Sequence, residues 1–205
     1  AVRRAGDCDA LVSTAADVRR LSHHLVAQGG AAAQLTGLIS HLNDRLAVRL
    51  LTIGTRRFNL GEQSFCWVSF GSEGRGEQTI ATDQDNGILF VEGKATKERM
   101  LELADWANEA LAACGFPLCR GNIMARNPAW CLNYEGWDTL FAAWIDRGDP
   151  DALLNASIFF DFRPLFGDAG LANGLREDVV ARAQRNARFL KQMADNTLRN
   201  RPPAG

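Results

Sequence analysis

Val68-Ser69-Phe70-Gly71-Ser72-Glu73-Gly74-Arg75-Gly76-Glu77-Gln78-Thr79-Ile80-Ala81-Thr82-Asp83-Gln84-Asp85-Asn86-Gly87-Ile88-Leu89-Phe90 is the stretch that decides the fold. It reads in three parts. A short aromatic, β-prone strand, Phe65 to Phe70, runs into Gly71-Ser72. A glycine- and polar-rich turn follows and opens a short helix. Asp83-x-Asp85 then leads a second strand, Asn86 to Val91, with its core at Ile88–Val91.

Each part has a chemical use. Gly71 has no side chain, so a phosphate can come close to the backbone. Ser72 adds a hydroxyl, and free N–H groups at a helix start favour an anion. Arg75 can make a charge-assisted contact to phosphate; the plainer reading is a surface ion pair with Glu77. Asp83 and Asp85 are two apart, so on an extended strand both carboxylates share one face, roughly 7 Å apart at Cα. Such a pair can hold two Mg²⁺ ions ~4 Å apart and clamp the oxygens of a phosphoryl transfer. The plainer reading of Asp-x-Asp is a polar turn before a strand.

Competing motifs fail. A Walker A loop needs Gly-Lys-Ser/Thr, and Gly76 is followed by Glu77-Gln78. A dinucleotide fingerprint would need glycine where Thr79 stands. An EF-hand starting at Asp83 would meet Gly87, Ile88 and Lys94 at positions that require other residues.

Around this centre the chain reads as helical. Leu35, Leu38, Ile39, Leu42, Leu46 and Leu50 fall on one helix face. Gly29-Gly30 separates that helix from an earlier one carrying Val18, Leu21 and Leu25. Thr96 to Cys114 is amphipathic, with Gly115 as its C-terminal cap. Phe116 to Met124 is expected to hold a third strand, against Pro117 and Gly121. From Pro128 onward helices return: Trp137, Leu140, Phe141 and Trp144 keep helical spacing, and Leu171 to Leu198 reads as one long helix or two. Trp130, Trp137 and Trp144 are read as core rather than base-stacking residues. Asp161 and Arg163 are read as a buried structural pair in an aromatic run.

Composition excludes more than it assigns. The chain has 205 residues, 46% hydrophobic and 23% charged, enough for a real core and against disorder. Twenty-three basic against 24 acidic residues give a net charge of −1, which offers no basic surplus for nucleic acid. No apolar run approaches the ~18 residues of a membrane span. Five cysteines, without a CxxC pair, suggest neither a disulfide framework nor a zinc ribbon and fit a cytoplasmic protein.

Gly71-Ser72, ten intervening residues and Asp83-x-Asp85 resemble the signature of the DNA polymerase β-like nucleotidyltransferase superfamily. The fuller string Gly71 to Phe90 is similar to nucleotidyltransferases found in bacteria beside CBS and cyclic-nucleotide-binding domains, which are relatives of the PII protein uridylyltransferase. The segments Ile39 to Asp44, Cys114 to Cys119, Asn122 to Trp130 and Ile158 to Arg163 share the likeness. The resemblance implies an α+β fold: a polymerase-β-like core of small mixed sheet and helices, flanked by N-terminal helices and a C-terminal helical domain. It divides the chain into an N-terminal helical segment (1–60), a nucleotidyltransferase core (61–127) and the start of a helical substrate-binding domain (128–205). The chain is then expected to be part of a longer protein with CBS-type regulatory domains.

Carried over by position, Gly71 and Ser72 match the nucleotide-phosphate turn, with Arg75 beside it, and Asp83 and Asp85 match the metal-binding, catalytic carboxylates. Members of the superfamily commonly add a third carboxylate from a later strand. The segment Leu118 to Met124 contains no acid. Asn122 stands as a weaker substitute, and Asp161, expected on a helix after Ser157, is the other candidate. The implied activity is Mg²⁺- or Mn²⁺-dependent transfer of a nucleoside monophosphate from an NTP, ATP or UTP, to a protein or small regulatory acceptor in signal transduction. The alternatives are a catalytically silent nucleotide-binding regulatory module and a helical interaction module with a structural core.

Overall fold

The computed structural model describes residues 2–29, 32–60, 65–80, 82–93, 95–148 and 150–199. Two long helices come first, α1 (Cys8–Ala27) and α2 (Ala32–Arg57). Asp7 caps α1 by accepting the Ala10 N–H at 2.9 Å. Leu11, Ala15, Val18 and Ser22 form its buried stripe. On α2 the expected face is buried at Ile39, Leu46 and Leu50, while Leu38, read as part of it, is 42% exposed. Gly29, with φ +75°, breaks the chain between the two helices, and Gly30 lies outside the described residues.

Four strands make one mixed sheet in the order β3-β2-β1-β4. They are β1 (Phe65–Ser69), β2 (Asn86–Phe90), β3 (Cys131–Asn133) and β4 (Arg163–Gly167). β1 pairs antiparallel with β2, from Phe65↔Phe90 to Ser69↔Asn86. β1 also pairs antiparallel with β4, with an irregularity at Trp67/Val68, and β2 pairs parallel with β3. Every residue of β1 and β2 is buried. Both faces are covered, which is why these strands read as continuous apolar runs. Alternation sends Phe65, Trp67, Ile88 and Phe90 toward α1, α2 and α4 (Lys97–Ala113). Cys66, Val68, Phe70 and Leu89 face the other layer. That layer is α5 (Tyr134–Arg147), α6 (Pro150–Phe159), α7 (Ala169–Gln184) and α8 (Ala187–Arg199).

The helix expected at Thr96 to Cys114 is α4, capped by Thr96, which accepts the Arg99 N–H, and closed by Gly115 at φ +93°. Residues 171–198 form two helices, not one. Trp137 and Trp144 are buried, and Trp137 Nε1 donates to the Ile88 carbonyl at 2.9 Å, as core tryptophans should.

Three expectations are corrected. Residues 116–124 hold no strand: Pro117 and the left-handed Asn122 (φ +55°) prevent a ladder, and the segment touches the sheet through single bonds, such as Asn86 N–H to Ile123 O at 3.1 Å. The third strand is β3 instead. β4 arises where helix was expected; Pro164 is tolerated because β4 is an edge strand. Asp161 sits in the turn between α6 and β4, not on a helix. β3 and β4 both lie after residue 127, so the sheet draws strands from either side of that position. Among the described residues no helix is long and apolar enough to cross a membrane, and all five cysteines are free.

Candidate functional site

The β1–β2 register brings the two halves of the motif together. Ser69 pairs with Asn86, and the Phe70 N–H donates to the Asp85 carbonyl at 2.9 Å. The next residues form a tight helical turn, α3 (Gly71–Gly74). Gly71 has φ +53°, and a Cβ there would lie 3.1 Å from Asp85 Oδ2. The backbone of the Gly-Ser turn therefore lies directly against the second carboxylate of Asp-x-Asp. The turn is closed by Gly74 N–H to Phe70 O at 2.8 Å and Glu77 N–H to Ser72 O at 2.8 Å. Gly74 is also required for space: a Cβ would meet the Asp161 carbonyl oxygen at 2.2 Å.

The strand-like alternation of residues 83–86 divides their roles. Asp83 is exposed and Asp85 half-buried, whereas Gln84 and Asn86 are buried. The two inward amides meet Asn108 of α4. Asn108 Nδ2 donates to Gln84 Oε1 at 2.7 Å and to Asn86 Oδ1 at 3.0 Å. Gln84 Nε2 returns to the carbonyls of Asn108 (3.0 Å) and Phe116 (2.9 Å). The Ala125 N–H donates to Asn86 Oδ1 at 2.9 Å and the Arg126 N–H to Asn108 Oδ1 at 3.0 Å. This buried network fixes the backbone that carries Asp83 and Asp85. Burial holds the Asp85 carboxyl above the ordinary range, the charge of Asp83 adds to this, and the donating thiol of Cys119 opposes it.

Behind the turn stand charges whose role the sequence reading did not assign. Arg163, first residue of β4, grips Asp44 of α2 with two bonds, 3.0 and 2.9 Å. The same guanidinium donates to the carbonyls of Glu73 (2.8 Å) and Gly74 (3.3 Å). Ser40, one turn before Asp44, donates to the Gly76 carbonyl at 2.7 Å and accepts the Gln78 N–H at 2.8 Å. Glu73 is buried; desolvation first, then the charge of Asp44, push its carboxyl up to about 8, against the pull of the Ser69 hydroxyl and Arg163.

Asp161 and Arg163 are not partners of each other. Asp161 pairs with Arg75 at 3.2 Å and Arg163 with Asp44; Asp161 lies in the turn before β4, where the alternation of a strand does not set its direction. Arg75 also holds Glu77 at 2.7 Å. Arg75 therefore makes the local ion pair with Glu77 and a second one with Asp161, at the edge of the Gly-Ser turn.

The structure thus brings Gly71, Ser72 and Asp85 to one spot, with Asp83 next to it and Arg75 on its rim. Among the described residues no group of three or more His, Cys, Asp or Glu side chains forms a metal-holding cluster. Two carboxylates still suit Mg²⁺ or Mn²⁺, hard cations that commonly take one or two protein carboxylates and complete their shell with water and substrate phosphate. The raised Asp85 carboxyl fits as well, since a cation offsets both its burial and the charge of Asp83. The amide network left one trace in the sequence, the unbroken polar run Asp83-Gln84-Asp85-Asn86 entering an apolar strand. Asn108 left none.

A small mixed sheet, flanking helices and a Gly-Ser turn against an Asp-x-Asp pair are consistent with a nucleotidyltransferase-like core. The chain belongs to the family described as "Putative nucleotidyltransferase DUF294", whose model matches residues 16–151, more than half of its length. No curated protein matches the chain.

Proposed function

We propose that this chain binds a nucleoside triphosphate, ATP or UTP, at Gly71, Ser72, Asp83 and Asp85, and transfers its nucleoside monophosphate to an acceptor hydroxyl. In that reaction the acceptor hydroxyl gives its proton to solvent, its oxygen bonds to the α-phosphorus, the bond from that phosphorus to the bridging oxygen breaks, and pyrophosphate leaves with the electron pair. The observation that carries this reading is the contact between the Gly71 backbone and the Asp85 carboxylate, 3.1 Å from a notional Cβ. A phosphate seated on a glycine-serine turn at that place lies beside the carboxylates. The family match supports the same chemistry.

The residues divide the work. Gly71 leaves room for the phosphates, and the Ser72 hydroxyl donates to them. Asp83 and Asp85 hold Mg²⁺ or Mn²⁺, which when bound neutralises phosphate charge and aligns the reacting oxygens. Arg75 exchanges one of its carboxylates for a phosphate oxygen. The net charge of −1 favours a protein or small regulatory molecule as acceptor over nucleic acid. A signalling role in the bacterial cytoplasm, within a longer protein carrying CBS-type domains and related to the PII uridylyltransferase, fits that acceptor.

Labelled transfer tests the reading. With α-labelled NTP and Mg²⁺ or Mn²⁺, label should reach an acceptor, and Asp83→Ala with Asp85→Ala should abolish both transfer and metal-dependent nucleotide binding. Nucleotide binding without transfer to any acceptor assigns a sensing module instead. Absence of binding removes both readings, and unchanged metal-dependent binding in the double variant removes the site.

A further inference from the structure

The segment Ile39 to Asp44 and the residue Arg163 lie outside the nucleotide site, yet they converge on its loop from two sides. Ser40 and Asp44 are four apart on α2, so they share one face. Ser40 ties down the far end of the loop, through Gly76 O (2.7 Å) and Gln78 N–H (2.8 Å). Asp44 ties down the near end indirectly. It fixes the plane of the Arg163 guanidinium, whose remaining donors take the carbonyls of Glu73 (2.8 Å) and Gly74 (3.3 Å).

The chemistry of this brace is specific. A guanidinium is a rigid planar fork that can hold a carboxylate and two peptide carbonyls at once. An ammonium in its place keeps the charge but loses that geometry. The Arg163 and Asp44 side chains are 29% and 24% exposed, so the pair is sheltered and not an ordinary surface ion pair. The loop it holds is short and irregular: α3 is a single four-residue turn that begins at the positive-φ Gly71 and is followed by the positive-φ Gly76. Small displacements of groups that hold a ligand cost affinity and rate steeply.

We propose that Asp44 and Arg163, assisted by Ser40, are positioning residues of the nucleotide site. They touch no ligand themselves; they hold the 71–78 loop at the distance from Asp85 that a triphosphate requires. This rests on the nucleotide reading above.

The test compares wild type with Arg163→Lys, Asp44→Asn and Ser40→Ala in two measurements: titration calorimetry with Mg²⁺ and each common NTP, and hydrogen exchange by mass spectrometry. Arg163→Lys should weaken NTP binding about ten-fold. Exchange should rise in peptides covering residues 70–80 and stay unchanged across α5 and α7. Wild-type affinity in a folded Arg163→Lys overturns the proposal, and so does faster exchange spread over the whole chain. If Arg163→Lys does not fold, Ser40→Ala reads the same loop by losing a single hydroxyl: weaker binding with local exchange supports the brace, and wild-type behaviour overturns it. If the wild type binds no NTP, the nucleotide reading fails by itself, and the exchange data alone then decide whether the brace exists.

Discussion

Asn108, on the inner face of α4, donates to Asn86 Oδ1 at 3.0 Å and so reaches beneath the backbone that carries Asp85. It also donates to Gln84 Oε1 and accepts the Arg126 N–H. A single amide thus joins a helix, the start of β2 and the 116–126 segment. Replacing Asn108 by Leu strands the Gln84 acceptor and the Arg126 donor in the interior. The expected loss is about 2–3 kcal/mol in urea unfolding. Nucleotide affinity should also fall at temperatures where the variant is folded.

Gly71→Ala should separate function from stability. A residue with a side chain pays about 1–2 kcal/mol in the left-handed region, and its Cβ would press on Asp85 Oδ2 at 3.1 Å. Calorimetric melting should show that modest loss, whereas NTP titration should show a weakening well beyond it. Wild-type affinity in a folded Gly71→Ala would exclude the turn from the site.

Gly74 and Gly76 make an internal comparison. A Cβ at Gly74 meets the main-chain oxygens of Asp161 (2.2 Å) and Ser69 (3.0 Å), and one at Gly76 meets nothing within 4 Å. Gly74→Ala should cost about 3 kcal/mol, because backbone has to move. Gly76→Ala should cost only about 1 kcal/mol, for its φ of +67°. Equal losses in denaturant melts would refute the close approach of the Asp161 turn.

Glu73 gives the fold a pH dependence of unusual sign for a carboxylate. Its carboxyl titrates at about 8 when folded, against an ordinary value of 4.5. The folded chain therefore binds this proton more tightly than the unfolded one. The resulting stabilisation is complete below the ordinary value and drains away as pH rises from there toward the folded value, at up to about 1.4 kcal/mol per pH unit. Glu73→Gln keeps the shape and cannot ionise. Thermal melts of this variant should be flatter than wild type between pH 5 and 8, and more stable than wild type at the upper end. A wild-type slope in the variant would place the titrating group elsewhere.

Asp83→Asn should remove one half of a mutual repulsion. Asp85 is raised by burial first and by the charge of Asp83 as well. In the variant, NMR titration should find the Asp85 carboxyl lower than in wild type but still above the ordinary range, because its burial persists. Mn²⁺-dependent NTP binding should be lost in the same protein. An unmoved Asp85 would mean that the two carboxylates do not share a site.

The centre of the site was legible because its code is local. Gly71-Ser72 follows β1 directly and Asp83-x-Asp85 leads directly into β2, so the antiparallel β1–β2 pairing brings them together. α4, α5 and the pair α1–α2 were legible through helical periodicity and glycine breaks. What escaped was non-local. β4 carries Pro164 and ends at Gly167, so nothing in its own residues favours a strand; it exists because β1 offers an open edge. The apolar look of residues 116–124 misled for the opposite reason. Only Met124 of that segment is buried, with Phe116, Cys119 and Ile123 half-buried, and it meets β2 through single bonds and not a ladder. Arg163 was visible, but its partner was misassigned to Asp161, two residues away, when the partner lay on α2.

Asp44 and Arg163 are 119 residues apart in the chain. Because they meet at the loop's back wall, the order of synthesis has a consequence. A nascent chain that has exposed both motif halves from the ribosome already contains Gly71, Ser72, Asp83 and Asp85, but has neither β4 nor its guanidinium. It possesses the chemical groups and not their arrangement. Loop closure over so long a separation is also entropically slow. The 71–78 loop therefore gains its brace only after β4 has been made, and the groups proposed to hold a nucleotide stay unarranged until then.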